Sequence, residues 1–177
     1  MTDHEWAQRP KLTAIDLFSG AGGLSIGLVQ SGFSILFAND VRADYLSTYK
    51  ANHPGTLAVA ADIRDLDAGL VQSELSLAPG QLDLLAGGPP CQGFSINAPL
   101  RRSSDRRNHL FLDFCRFADQ FQPRVILIEN VPGLVSFGGG DTLSSILANL
   151  DGLGYRSEIR IVYAPHFGVP QMRWRTV

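Results

Sequence analysis

The chain has 177 residues, a formal net charge of −2, 45% hydrophobic and 18% charged residues. That length fits one domain with a real core, and the near-neutral charge excludes a global attraction to polyanions, so any affinity for nucleic acid must come from a local patch. The opening segment carries Asp3, His4, Glu5, Arg9 and Lys11 without an apolar run, which predicts no signal peptide, no membrane span and a cytoplasmic location.

Residues 1–11 read as an N-terminal tail and residues 12–177 as one domain. The first predicted strand is the apolar run 13–18. It leads into Ser19-Gly20-Ala21-Gly22-Gly23, a turn that lets backbone pass close to a ligand before a helix over 24–31. A second strand at 34–38 ends near Asp40, about twenty residues past the glycines, where a carboxylate commonly meets the ribose of a nucleoside cofactor. A helix over 43–52 and a third strand at 57–61 bring Asp62 to an equivalent position. Acids at strand ends also cap helices, and that reading stands beside the functional one for Asp40 and Asp62. The glycine loop has Ser25 where Gly-x-Gly-x-x-Gly would be completed, so a cofactor without a pyrophosphate fits better than a dinucleotide.

A helix over 66–77 precedes the fourth strand, 82–86. There the chain reads Gly87-Gly88-Pro89-Pro90-Cys91-Gln92-Gly93-Phe94-Ser95. Two prolines fix the backbone and donate no hydrogen bond, so they stiffen the approach to Cys91, and the flanking glycines leave room for another molecule. This is how a nucleophile is presented. The alternative is a structural cysteine, a type that ordinarily lies within an apolar periodic segment. Cys115 does lie in such a segment, the helix over 110–121, and is expected in the core. Between them, residues 99–109 hold Arg101, Arg102, Arg106 and Arg107, a local cationic cluster suited to phosphate contacts or else a solvated loop.

The fifth strand, 125–128, ends in Glu129, a carboxylate at the lip of the core that needs a partner there. A glycine run at 138–140, a helix over 142–150 and an alternating strand over 155–163 complete the pattern. Strands that alternate with helices and are almost wholly apolar predict an α/β domain, a doubly wound, mostly parallel sheet of Rossmann-like type with ligands beyond the strands' carboxyl ends. Two cysteines are too few for a disulfide framework, and four scattered histidines predict no metal site.

In order and spacing, these motifs resemble the cytosine-5 DNA methyltransferase family from Asp16 to the end of the chain. Asp16-Leu17-Phe18-Ser19-Gly20-Ala21-Gly22-Gly23 is similar to its cofactor loop and residues 87–95 to its nucleophile loop. Glu129-Asn130-Val131 resembles its acidic strand end, and Gly168-Val169-Pro170-Gln171-Met172-Arg173-Trp174-Arg175 its paired-arginine motif. The resemblance implies the fold of an S-adenosylmethionine-dependent methyltransferase. It also implies methyl transfer to carbon 5 of a cytosine flipped out of double-stranded DNA, through a covalent Cys91 adduct. Catalytic roles fall on Cys91, Glu129, Arg173 and Arg175. The cofactor would meet Phe18, Ser19, Gly20, Ala21, Gly23, Asp40, Val41, Asp62, Ile63, Pro90 and Leu110. DNA would meet Gln92, Ser95, Arg101, Arg102, Arg106 and Arg107.

Two departures from the family pattern carry consequences. Asp40 stands where the family usually has glutamate, which shortens the reach to the ribose by about 1.5 Å. The family also continues beyond the arginine motif with a target-recognition region and a last cofactor motif, so this chain is expected to act as part of a split or truncated enzyme. A second chain would then supply target recognition. The alternatives are an RNA (tRNA) cytosine-5 methyltransferase, a non-catalytic module that binds S-adenosylmethionine or DNA, and a nicotinamide oxidoreductase.

Overall fold

The computed structural model describes residues 11–90 and 110–177. Five strands form one wholly parallel sheet: β1 (Leu12–Leu17), β2 (Phe33–Asp40), β3 (Leu57–Ala60), β4 (Leu84–Gly87) and β5 (Val125–Ile128), in the spatial order β3-β2-β1-β4-β5. The order reverses after β3, on the far side of β1, as in a doubly wound sheet. The expected fold class is therefore observed.

Alternation along β1 explains the layers, because successive side chains point to opposite faces. Ile15 and Leu17 enter one core with Phe37, Leu85, Phe114, Phe117 and Phe121. Ala14 enters the other face with Ile35, Leu84, Ala86 and Leu28. Helices α1 (Gly23–Gln30) and α2 (Ala43–Asn52) cover the Ala14 side, and α3 (Ala68–Glu74) and α4 (Leu110–Phe121) the Ile15 side. Each fully buried phenylalanine of α4 contributes roughly 1.5–3 kcal/mol. A short helix α5 (Gly133–Ser136), a 3₁₀ turn and α6 (Asp141–Gly152) follow β5. The antiparallel pair β6 (Ile161–Tyr163) and β7 (Trp174–Thr176) closes the chain. Strand β5 pairs with β4 on one side, and its other side borders a groove of about 630 Å³ against α6 and residues 154–162.

Most boundaries shift by one to three residues from the sequence reading, and three of the differences have a local reason. Phe18 leaves the strand because its φ is +59°, a left-handed turn away from the sheet. The helix expected over 66–77 shrinks to α3, because Asp67 accepts from the amides of Gly69 and Leu70 and so fixes a late start. Of the strand expected over 155–163, only Ile161–Tyr163 pairs with β7, with one further backbone pair between Arg160 and Val177.

Among the described residues, no helix is long and apolar enough to cross a membrane. None of their His, Cys, Asp and Glu side chains gather in groups of three or more that could hold a metal ion.

Candidate functional site

Register sets the geometry of the site. Val59 pairs with Asn39, Asn39 with Leu17, Leu17 with Gly87, and Gly87 with Ile128. The next residue on each strand therefore lies along one edge of the sheet: Ala60, Asp40, Phe18, Gly88 and Glu129. Parallel pairing brings together at one rim groups that are up to 111 positions apart in sequence (Phe18 to Glu129).

The glycine loop is fixed at several points. The Ser19 amide donates to the Asn39 carbonyl at 2.9 Å, and Gly20 and Gly22 adopt φ of +55° and +96°. A β-carbon on Gly22 would lie 2.8 Å from His53 Nε2 and 2.9 Å from Tyr49 Cδ2, whereas one on Gly20 or Gly23 would meet nothing within 4 Å. Gly22 thus serves packing, and Gly20 and Gly23 face open space. Ala21 is exposed and Ser19 buried.

Asp40 ties this loop to the end of β2. Its Oδ2 accepts from the Gly20 amide at 2.9 Å and its Oδ1 from the Arg42 amide at 2.8 Å. Each oxygen keeps a further lone pair. Val41 beside it is 65% exposed.

Asp62 follows the capping alternative. It accepts from the amide, Nε and Nη2 of Arg64, and that guanidinium holds its carboxyl down at about 2. Ile63 sends its side chain into the core, so its backbone is what it offers to the rim. The 3₁₀ turn Ile63–Asp65 is gripped from α4: Arg116 donates to the carbonyls of Ile63 and Leu66, both at 2.7 Å. Replacing Arg116 with Met keeps the aliphatic stem and removes both bonds, and we expect a loss of about 1 to 2 kcal/mol in a urea titration.

At the other end of the rim, Glu129 Oε1 meets Arg175 Nε at 2.5 Å, with the side chains 40% and 20% exposed. Gly88 permits this placement, since a β-carbon there would lie 3.1 Å from Glu129 Oε2. The glycines ahead of Cys91 therefore admit groups of this chain itself, where the sequence suggested room for another molecule. Asn130 is the joint between the motifs. Its side-chain amide donates to the Pro89 carbonyl at 3.0 Å, and its backbone exchanges two hydrogen bonds with Thr176. The proline approach to Cys91, the Glu129 strand end and the arginine strand are thus fastened at one residue. Pro90 is half-buried, Leu110 packs against the core at the start of α4, and Arg173 is exposed.

Cys91, Gln92, Ser95, Arg101, Arg102, Arg106 and Arg107 lie outside the described residues. Cys115, in contrast, is buried in α4, and burial pushes its thiol up to about 11. Only about one molecule in ten thousand then carries its thiolate at neutral pH. Of the chain's two cysteines, Cys115 is therefore inert, as its helical setting suggested.

Asn39, Asn130 and Arg116 were not visible as site residues. Asn39 spans from β2 to the carbonyls of Val59 and Ala61. Each of the three acts on backbone distant in sequence, and the only signal was a polar residue inside an otherwise apolar segment.

The comparisons with known proteins agree with this fold. The type II methyltransferase M.AgeI of Thalassovita gelatinovora is 44% identical over 164 residues, which are 93% of this chain and 38% of that protein. M.AquIA of Picosynechococcus sp. is 32% identical over 169 residues, 91% of this chain and 68% of that protein. Among solved structures, an E. coli prophage-encoded protein described as a DNA modification methyltransferase superposes with a TM-score of 0.80 at 33% identity, covering 93% of this chain and 45% of that one. The S. pombe Dnmt2 methyltransferase gives 0.69 at 26% identity, covering 94% and 48%. The chain thus spans less than half the length of M.AgeI and of both solved structures. Residues 12–177 match the family described as C-5 cytosine-specific DNA methylase, and the chain belongs to that family.

Proposed function

We propose that residues 12–177 are the cofactor-binding and chemical portion of a cytosine-5 DNA methyltransferase, with sequence choice supplied by polypeptide outside these residues. The observation that carries the reading is the Glu129–Arg175 pair, fastened through Asn130 to the Pro89 carbonyl two residues before Cys91. A carboxylate and a guanidinium side by side present one acceptor and one donor array to a planar base. Glu129 would hold cytosine N3 and its amino group, Arg175 the carbonyl at carbon 2, and Arg173 a phosphate. Attack by the Cys91 thiolate on carbon 6 makes carbon 5 nucleophilic. Loss of the carbon 5 proton after methyl transfer then expels the thiolate.

The rim fits S-adenosylmethionine. Gly20 and Gly23 leave open space, Asp40 keeps lone pairs for ribose hydroxyls, and Asp16 Oδ1 and Ser19 Oγ are buried oxygens with no partner. When bound, that cofactor supplies an electrophilic methyl group. Phe18, Val41, Pro90 and Leu110 would border its adenine and methionine ends, with Ala21, Asp62 and Ile63 contributing chiefly backbone. Gln92, Ser95 and the arginines at 101, 102, 106 and 107 would meet DNA, whose phosphates give affinity without sequence information.

DNA is favoured over RNA as substrate by the description of the matched family, C-5 cytosine-specific DNA methylase, and by that of the E. coli prophage protein, a DNA modification methyltransferase. The length the relatives have beyond the matched region supports placing base-edge readout outside it. The test is incubation with S-adenosylmethionine and duplex DNA carrying 5-fluorocytosine, in the presence of the rest of the methylating assembly. Fluorine does not leave as a proton does, so a covalent adduct should accumulate and map to Cys91. Cys91→Ala should form none, and an adduct that persisted in that variant would overturn the mechanism. An adduct formed with tRNA in preference to duplex DNA would move the substrate assignment to RNA.

A further inference from the structure

Beneath the glycine loop lies a polar chain of which the reading above uses only one end, the unpartnered Asp16 Oδ1. Asp16, at the end of β1, is 1% exposed, and Ser25 of α1 and Tyr49 of α2 are fully buried. Ser25 Oγ donates to Asp16 Oδ2 at 2.6 Å and shares a second hydrogen bond with the Tyr49 hydroxyl at 2.8 Å. Tyr49 in turn packs on the His53 ring at 4.5 Å, and both touch the space a β-carbon on Gly22 would need. The loop therefore rests on three elements joined by one run of side chains. Asp16 Oδ1 and His53 Nε2 are buried without a partner, and an orphaned oxygen of that kind calls for a ligand, a water or a proton.

We propose that Asp16, Ser25 and Tyr49 are positioning residues for the cofactor loop, and that uptake of the cationic cofactor above them is coupled to release of a proton from Asp16. This rests on the S-adenosylmethionine reading of the rim. Burial pushes the Asp16 carboxyl up to about 7, with the negative Asp40 across the strand end adding to the rise and the Ser25 hydrogen bonds opposing it. Tyr49, raised by its own burial, stays neutral and donates or accepts as the chain requires. The groups facing Asp16 are thus Asp40 from β2, Ser25 from α1, and Tyr49 with His53 behind it from α2. Among the described residues, no lysine or arginine offsets the burial of Asp16. Without cofactor, the carboxyl holds its proton below about pH 7. S-adenosylmethionine brings a sulfonium and an ammonium against one carboxylate, a net charge of +1, which favours the ionised form. The O–H bond of Asp16 then breaks, the proton passes to solvent, and the negative charge stays beneath the cofactor.

The test is calorimetric titration of the 177-residue chain with S-adenosylmethionine at pH 6 and pH 8, in two buffers of different ionisation heat. Affinity should be about tenfold tighter at pH 8, the ratio expected when only the deprotonated fraction of a group titrating near 7 is competent to bind. Near pH 7 the heat should depend on the buffer, reporting a released proton. Asp16→Asn, which fixes the side chain in the neutral form, should bind no more tightly than the wild-type chain does at pH 6, with neither pH dependence nor buffer-dependent heat. Tyr49→Phe keeps the ring against His53 and should weaken binding several-fold at both pH values. A second readout needs no ligand. A carboxyl raised in the folded state contributes stability that is present below its unfolded value and lost as pH rises through about 7. The urea midpoint of the wild-type chain should therefore fall from pH 5 to pH 8 relative to Asp16→Asn. Binding that releases the same proton in Asp16→Asn overturns the network alone. No binding by the wild-type chain at either pH, at millimolar cofactor, overturns the cofactor reading with it.

Discussion

Glu129→Gln is expected to lower the rate of methyl transfer in the complete methylating assembly by a factor of about 10² to 10⁴, while the chain stays folded. The glutamine keeps one carbonyl oxygen in the place of Oε1, so Arg175, whose Nε lies 2.5 Å from that atom, retains an acceptor. What is lost is a group that can take up a proton and pass it to the ring. As the thiolate adds to carbon 6, electron density moves through the ring toward N3, and protonation there is helped by a group that carries or shares a proton. An amide does neither. Because Glu129 is 40% exposed and its pair with Arg175 is partly solvated, the direct loss of stability should stay within about 1 kcal/mol. The signature is a large fall in kcat with a thermal midpoint lowered by no more than about 4 °C. Arg175→Lys separates the other half of the pair: it keeps the charge but loses the planar fork, so DNA binding should suffer more than the chemical step. A Glu129→Gln enzyme that methylated at the wild-type rate would remove the carboxylate from the mechanism.

The five strands and the rim were legible because parallel strands buried on both faces must be nearly continuous apolar runs. The runs at 13–18, 34–38, 57–61, 82–86 and 125–128 correspond to β1 to β5 within a few residues. The residues just past them, Asp40, Asp62, Cys91 and Glu129, stood out because a charged or nucleophilic side chain breaks the pattern there. What sequence could not distinguish is a polar residue that serves the rim from one that serves its own backbone. Asp62 and Asp40 looked alike, yet Asp62 is engaged by Arg64 two residues on, while Asp40 reaches back to Gly20. The difference lies in which donor is nearer in space. Asn130 sits between Glu129 and Val131 with no charge to mark it, and its bond to Pro89 crosses 41 positions. Asp16 was hidden for another reason: a single acid inside an apolar strand carries no periodic signal, and its partners Ser25 and Tyr49 sit on two different helices.

Gly87 and Gly88 are adjacent and identical, and their alanine variants should fail in different ways. A β-carbon on Gly87 would lie 2.5 Å from the Leu17 carbonyl oxygen and 3.1 Å from Phe114 Cε2. The oxygen belongs to the central strand, which has neighbours on both sides, so it has nowhere to go. Overpacking a core commonly costs 1–3 kcal/mol and occasionally more. With backbone as the obstacle, we expect about 3 kcal/mol or more for Gly87→Ala, a drop of roughly 6–12 °C in Tm for a chain of this size. On Gly88 the nearest atom is Glu129 Oε2 at 3.1 Å, the end of a side chain that can swing away. Stability should change little, but a displaced Glu129 carboxylate no longer meets both Arg175 and a base, and a shift of about 1 Å at such a group can cost about a hundredfold in rate. Gly88→Ala should therefore melt near the wild-type temperature and lose methylation, whereas Gly87→Ala should lose the fold first. If the two variants melted together, the glycines would be serving the turn alone, and Glu129 would not depend on the room that Gly88 leaves.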